Sequence, residues 1–186
     1  MKIYIKYMVS IRCKMLVKEV LKGLRLHYSS VNLGEVDVLE NITSKQREQI
    51  RTELFKWGLE LMDNKKEIII EKIKNVVIEM VHYADELPET NFSDYLKQKL
   101  NYDYTYMSNL FSETEVITIE HFIIIHKIER VKELIFYNEL NLTEIAWKLH
   151  YSSVAHLSTQ FKKITGQTPS HFKKLKDKNL LLLEKV

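Results

Sequence analysis

Small polar side chains recur at the spacing of one helical face near the carboxy terminus of the chain. If Leu157 and Phe161 face a hydrophobic core, the opposite side of the same helix presents Ala155, Ser158 and Thr159. A hydroxyl group in that position can hydrogen-bond to a base or a phosphate, and the methyl group of alanine can contact a thymine methyl. The chemistry available to this face is therefore the reading of base edges in a DNA groove.

Lysines flank this polar face. Lys162 and Lys163 are placed to contact phosphates, which set the register of a protein on a duplex without reading its sequence. Lys173 and Lys174 follow, and a solvated surface is an equal alternative for all four lysines. The formal net charge of +3 is compatible with a nucleic-acid partner but is not diagnostic of one.

The same arrangement occurs about 50 residues earlier in the chain. Asn109 is the strongest single candidate for base readout there, because its amide can pair with adenine through two hydrogen bonds. A solvated polar face is the alternative for either copy alone, and the repetition favours contact with DNA. The predicted inward residues are Met107, Leu110 and Phe111, and the predicted outward residues are Thr105, Ser108, Asn109 and Ser112.

The elements that carry these faces also repeat. Residues 96–111 and 145–161 share an apolar skeleton that is typical of a helix, a tight turn and a second helix. Two such units in one small domain predict a reader of double-stranded DNA with two recognition helices. The intervening helix, from Thr118 to Tyr137, would be roughly 30 Å long, close to the spacing of about 34 Å between successive major-groove faces.

Four motifs in this half match a known family. They are Leu142-Thr-Glu-Ile-Ala146, His150-Tyr-Ser-Ser153, the span from Leu157 to Phe161, and Lys162-Lys163-Ile-Thr-Gly166-Gln-Thr-Pro169. With the helical segment 127–134, they make residues 91–175 similar to the DNA-binding domain of AraC/XylS-type transcription regulators. The resemblance implies an all-α domain with two helix-turn-helix units that binds double-stranded DNA.

The resemblance also implies which positions read bases. The predicted DNA-binding residues comprise these positions together with Ser153, Lys162 and Lys163. The base-reading positions themselves fall on Thr105, Ser108, Asn109, Val154, Ala155, Ser158 and Thr159.

Three positions depart from the family pattern. His150 stands where the family usually has a turn glycine, and Asn109 and Thr159 stand where arginine is common. The preferred base sequence is therefore left open.

The amino-terminal half alternates between strand and helix patterns. The phase of the second strand pattern breaks at Gly34, which predicts a hairpin or a bulge, and Thr43 with Gln46 predicts a capping box. The order β-α-β-β-α-β within about 62 residues predicts a ferredoxin-like sandwich. Strand patterns cover residues 2–8, 28–39 and 59–62, and helix patterns cover residues 13–24 and 43–57.

Met8 to Cys13 resembles the metal loop of heavy-metal-associated domains, with Ser10 in the first cysteine position. Soft metals prefer paired thiolates, so Cys13 alone is a weak metal candidate and no metal or other cofactor is predicted. A small buried hydrophobe is the favoured interpretation of Cys13, and a reactive thiol is the alternative. The seven histidines offer no convincing ligand pair, and His82 is predicted to lie on the surface.

A helix over residues 65–83 carries an apolar seam at Ile69, Ile73, Val76, Met80 and Tyr83. Packing within its own domain is favoured over a dimer interface. The polar residues 84–91 are typical of a linker.

These patterns predict an α+β ferredoxin-like domain followed by an all-α domain with two helix-turn-helix units. The expected boundaries are 1–63 for the first domain, 64–90 for the connecting helix and linker, 91–176 for the DNA-binding domain and 177–186 for the tail.

The repeated helix-turn-helix units make a sequence-specific transcription regulator the leading function. An enzyme is not predicted, because the sequence contains no paired carboxylates, phosphate loop or nucleophile motif that would indicate one. Homodimerisation through residues 1–83 and contact with RNA polymerase are further expectations, with no membrane partner. A single cysteine and the lack of a signal or membrane-spanning pattern predict a cytoplasmic protein. The alternative is a metal- or redox-responsive carrier that uses Cys13 and carries a helical module that does not bind DNA specifically.

Overall fold

The computed structural model describes residues 1–84, 88, 90–138 and 140–175. The chain divides into two compact units. The first comprises Met1–Val76 and Leu96–Leu110, and the second comprises Val77–Tyr95 and Phe111–Val186. Within the described ranges, no helix is long and apolar enough to cross a membrane.

A four-stranded antiparallel sheet forms the centre of the first unit, with the strand order β2-β3-β1-β4. The order of elements is the one that the sequence predicts. The elements are β1 (Lys2–Lys6), α1 (Ile11–Gly23), β2 (Tyr28–Asn32), β3 (Glu35–Val38), α2 (Ser44–Phe55) and β4 (Glu60–Met62).

Buried and more exposed side chains alternate along β1 and β3, and the buried ones form a core on one face of the sheet. Ile3 and Ile5 of β1 are buried beside Val36 of β3, whose Cα pairs with that of Ile3. Between β2 and β3, Gly34 has a φ of +77°, in the left-handed region where residues with a Cβ are strained. The predicted break at Gly34 is therefore a hairpin turn, and a register shift also lies between Tyr28 and Ser30.

Asn64 caps helix α3 (Lys65–Ile78), because its Oδ1 accepts a hydrogen bond from the backbone amide of Lys66 at 2.9 Å. Its buried Glu71 accepts a hydrogen bond from the backbone amide of Tyr7 at 2.9 Å, which ties the helix to the end of β1. The helix continues as a π-helical turn, Glu79–Tyr83.

The predicted seam on this helix is largely covered within the chain. Ile69, Ile73 and Met80 are buried, whereas Tyr83 is exposed. Packing within the chain therefore accounts for most of the seam, and dimerisation stays a prediction.

The rest of the described chain is helical. Asn91, Thr118 and Ser153 cap three of these helices, because the side-chain oxygen of each accepts a hydrogen bond from the backbone amide three residues later. Residues 85–87 and 89 of the predicted linker and all of the predicted tail lie outside the described residues. The helices are α4 (Phe92–Leu100), α5 (Tyr104–Glu115), α6 (Ile119–Tyr137), α7 (Leu142–Lys148) and α8 (Val154–Thr165), and residues 169–175 are also helical.

Candidate nucleic-acid interface

Two short turns position the helices that carry the predicted DNA-contacting faces. Asn101 lies between α4 and α5 with a φ of +62°, and His150 lies between α7 and α8 with a φ of +53°. A left-handed residue ends the first helix of each pair and redirects the chain into the second. Asparagine adopts this conformation more readily than histidine, so His150 carries more backbone strain.

Helix α8 is amphipathic in the predicted sense. Leu157 and Phe161 are fully buried, and the Phe161 ring packs edge-on against Phe172 with ring centroids 5.7 Å apart. Ser153 caps the helix by accepting the amide of His156 at 3.1 Å. Burial of one face and capping of the first turn fix which residues point outward.

The predicted outward residues of α8 lie at the surface. Ala155, Thr159, Lys162 and Lys163 are exposed, and Ser158 is half-buried. The Thr159 hydroxyl donates to the carbonyl oxygen of Ala155 at 2.9 Å, so its oxygen is left to accept a hydrogen bond from a ligand. This face therefore offers a methyl group, hydroxyl oxygens and two cations.

The remaining predicted positions of this half are also accessible. Ser153 is exposed and Val154 is half-buried at the first position of α8. Lys173 is half-buried and Lys174 is exposed.

Helix α5, like α8, has one buried apolar side and one accessible polar side. Met107 and Phe111 are fully buried, whereas Thr105 and Asn109 are exposed. Ser108 and Ser112 are half-buried on the polar side. The amide of Asn109 is therefore accessible to a ligand.

A buried lysine supports the turn before α8. The Lys127 ammonium donates to the carbonyl oxygen of Leu149 at 2.8 Å, and lies 4.9 Å from the Phe92 ring centroid and 5.3 Å from that of Tyr151. Burial lowers the pKa of Lys127 to about 8. A cation at the carboxy-terminal end of α7 is favourable, because the unpaired carbonyls there carry partial negative charge.

From the sequence, Lys127 is predicted only to lie in the linking helix, and no role is predicted for it. The hydroxyl of Tyr151, next to it, has no hydrogen-bond partner among the described residues, and burial raises its pKa to about 12. A charged residue inside the apolar pattern of α6 was the available signal.

The prediction that His82 lies on the surface is wrong. His82 is 14% exposed; its Nε2 lies 3.1 Å from Nδ1 of His126, and its Nδ1 lies 3.5 Å from Oε1 of Glu133. A projection at 100° per residue misplaces His82, because the π-helical turn changes the angular step after residue 78.

Cys13 is half-buried in the first turn of α1, rather than fully buried as the favoured interpretation expected. Its Sγ lies 3.4 Å from the Ser10 hydroxyl. Burial raises the pKa of the thiol, but hydrogen bonds from Ser10 and the nearby backbone outweigh that effect and lower it. Across the described ranges, no group of three or more histidine, cysteine or acidic side chains is arranged to hold a metal ion.

Residues 96–175, from α4 to the last described helix, match the family model described as a helix-turn-helix domain. The carboxy-terminal half therefore contains a helix-turn-helix domain, and this domain lies within residues 91–175, where the sequence resembles AraC/XylS-type regulators.

Relatives with similar sequences carry the same kind of domain in much longer chains. An uncharacterized HTH-type transcriptional regulator of Staphylococcus aureus is 28% identical over 93 residues, which are 50% of this chain and 12% of the relative. The uncharacterized HTH-type transcriptional regulator YtdP of Bacillus subtilis is 24% identical over 104 residues, which are 56% of this chain and 13% of that protein. The chain therefore spans only a small part of the length of these relatives.

Solved structures share the fold of the helix-turn-helix domain. The carboxy-terminal domain of AraT, a response regulator from Geobacillus stearothermophilus, gives a TM-score of 0.51 at 21% identity and covers 60% of this chain and 88% of that chain. A DNA-binding transcriptional dual regulator from Escherichia coli K-12 gives a TM-score of 0.51 at 14% identity, over 59% of this chain and 93% of the other. At such identities the likeness concerns the fold alone.

Proposed function

We propose that this protein is a sequence-specific DNA-binding transcription regulator whose helices α5 and α8 read adjacent major-groove segments. The observation that carries the proposal is the amphipathic arrangement repeated on both helices. On each, large apolar residues are buried, and hydroxyl or amide groups stay accessible. Such groups provide the donors and acceptors that base edges require.

Within this proposal, contacts divide into two classes. Asn109, Ala155 and Thr159 contact bases, because short side chains let a helix approach the groove floor closely. Lys162 and Lys163 contact phosphates and set the register. Helix α6 spans 19 residues, or about 28 Å at 1.5 Å per residue, which suits a spacer between two readers. The regulator names of the relatives from Staphylococcus aureus and Bacillus subtilis add support.

For the amino-terminal region, we propose a ferredoxin-like domain that modulates DNA occupancy. The element order β-α-β-β-α-β and the strand order β2-β3-β1-β4 support that assignment. Pairing of two protomers through residues 1–83 would raise the effective concentration of the second DNA-binding domain on a double site. Contact with RNA polymerase belongs to the same proposal.

Equilibrium binding to duplex DNA as a function of salt tests the function directly. Random duplexes are first selected on the full chain, and the enriched sequence is then compared with a scrambled duplex of equal length. The logarithm of the affinity should fall linearly with the logarithm of the salt concentration, with a slope of about −0.9 per neutralised phosphate. A flat salt response, or no enrichment after selection, would contradict the proposal.

A further inference from the structure

The half-buried pair His82 and His126 has the geometry of a metal-binding pair. Nε2 of His82 and Nδ1 of His126 are 3.1 Å apart, and the rings are nearly perpendicular, at 89°. Two imidazole nitrogens bound to one tetrahedral Zn²⁺ at about 2.0–2.1 Å lie roughly 3.3 Å apart. Because the two nitrogens face each other along this line, both rings have to turn away from it before their lone pairs converge on one ion.

A carboxylate supports the pair from the far side of His82. Oε1 of Glu133 faces Nδ1 of His82 at 3.5 Å, while Oε2 accepts a hydrogen bond from Arg130 at 2.8 Å, which fixes the carboxylate. A proton on Nδ1 facing Glu133 leaves Nε2 of His82 with a free lone pair toward His126. Metal-ligating histidines commonly use a carboxylate in this way.

The surroundings keep both rings ready to bind an ion. The His126 ring packs against Phe122 with centroids 4.5 Å apart, which limits how far the ring can turn from His82. Burial lowers the pKa of His82, and burial together with His82 lowers the pKa of His126 to about 4. Both imidazoles are therefore neutral at neutral pH, so metal binding releases no net proton and only shifts the proton of His126 from one ring nitrogen to the other.

We propose that His82 and His126 form a two-imidazole site for a borderline divalent transition metal such as Zn²⁺, with Glu133 as the positioning residue. Water completes the coordination, because two protein nitrogens fill only part of a tetrahedral shell. On binding, the proton between the two rings moves through solvent to Nε2 of His126, which leaves Nδ1 free for the metal. The ion would join the end of the π-helical turn to α6.

Calorimetric titration of the full chain with Zn²⁺ in a non-chelating buffer tests this site. The wild type is expected to bind one Zn²⁺ per chain. His82→Gln and His126→Gln should weaken binding by at least about 10-fold, because each removes one of two ligands. His121→Gln, a change at an exposed histidine of α6, and Cys13→Ser should leave binding unchanged. Unchanged binding in His126→Gln, loss of binding in Cys13→Ser, or no saturable binding in the wild type would overturn the proposal.

Two further measurements separate ligation from folding. In the wild type, nitrogen NMR should show Zn²⁺ shifting Nε2 of His82 and Nδ1 of His126; shifts confined to the exposed histidines would overturn the site. Glu133→Gln should lower Zn²⁺ affinity about 10- to 100-fold and change the tautomer ratio of the His82 ring. An unchanged tautomer and affinity would remove the positioning role. None of these outcomes depends on whether the chain binds DNA.

Discussion

At the scale of single residues, the candidate interface separates groups that can read sequence from groups that can only attract DNA. Asn109 offers an amide with both a donor and an acceptor, whereas Lys163 offers a point charge. An amide distinguishes one base pair from another in the major groove, and an ammonium on a phosphate does not. The two side chains therefore make different predictions.

Asn109→Ala is expected to reduce discrimination between the selected sequence and single-base variants by about 1–3 kcal/mol at one position, because a bidentate base contact is lost. Lys163→Ala should weaken binding to all duplexes alike and reduce the salt slope by about 1. Fluorescence anisotropy on both duplexes at several salt concentrations measures both effects. Equal behaviour of the two variants would contradict these roles.

The Lys127 ammonium provides a second test at this scale. Its pKa is lowered to about 8 in the folded chain from 10.5, so the unfolded chain binds more protons between these two values. Stability should therefore rise with pH from about 8 to 9.5, by on the order of 1 kcal/mol per pH unit. Lys127→Met should remove that rise. Urea denaturation of both proteins at several pH values, all below the range where Tyr151 titrates, makes the comparison. Parallel pH profiles would mean that Lys127 is not the group responsible.

At the scale of elements, the turns before α5 and α8 decide how these two helices are presented. Both turns need a left-handed residue, and neither contains glycine. Asn101 tolerates this backbone at little cost, while His150 is strained by roughly 1 kcal/mol. In the same helix pair, Asn141 and Glu144 form a capping box at the start of α7, so the local sequence there favours the helix that the structure contains.

His150→Gly is expected to stabilise the chain by about 0.5–1 kcal/mol, because glycine adopts the left-handed region without a Cβ clash. The exposed side chain of His150 should be dispensable for packing. Asn101→Gly is the matched control and should change stability by less. Thermal unfolding followed by circular dichroism provides the measurement. A loss of stability in His150→Gly would indicate that the side chain contributes more than the backbone strain costs.

At the scale of the whole molecule, each unit contains a titratable group with a lowered pKa, and the two groups affect stability in different pH ranges. In the first unit, hydrogen bonds from Arg51 and Arg47 hold the pKa of Asp63 below its usual value of 3.8. In the second unit, burial and His82 lower the pKa of His126 from 6.5 to about 4, and the acidic groups Glu129 and Glu133 oppose that shift only in part. A histidine with a lowered pKa reduces the stability of the folded state at a higher pH than a carboxyl group with a lowered pKa does.

As the pH falls from 6.5 to about 4, the second unit should therefore lose stability while the Asp63 contacts of the first unit remain intact. The unfolded chain takes up a proton on His126 in this range and the folded chain does not. Below pH 3.8 the contribution of Asp63 also declines. Amide hydrogen exchange at stepped pH values should show faster exchange in α6 and α8 before β1 and β3. The reverse order, or an unchanged acid range in His126→Gln, would contradict this prediction.

Local signals in the sequence were sufficient for the elements and for the polar faces of α5 and α8. Capping residues, apolar periodicity and turn residues act over a few positions, so strands, helices and the inward positions of Met107, Leu157 and Phe161 follow from them. Only the tertiary structure brought His82 to His126, 44 residues away, and set the Lys127 ammonium against the Leu149 carbonyl. Such contacts depend on how separate helices pack and on the phase change in the π-helical turn, neither of which leaves a periodic trace in the chain.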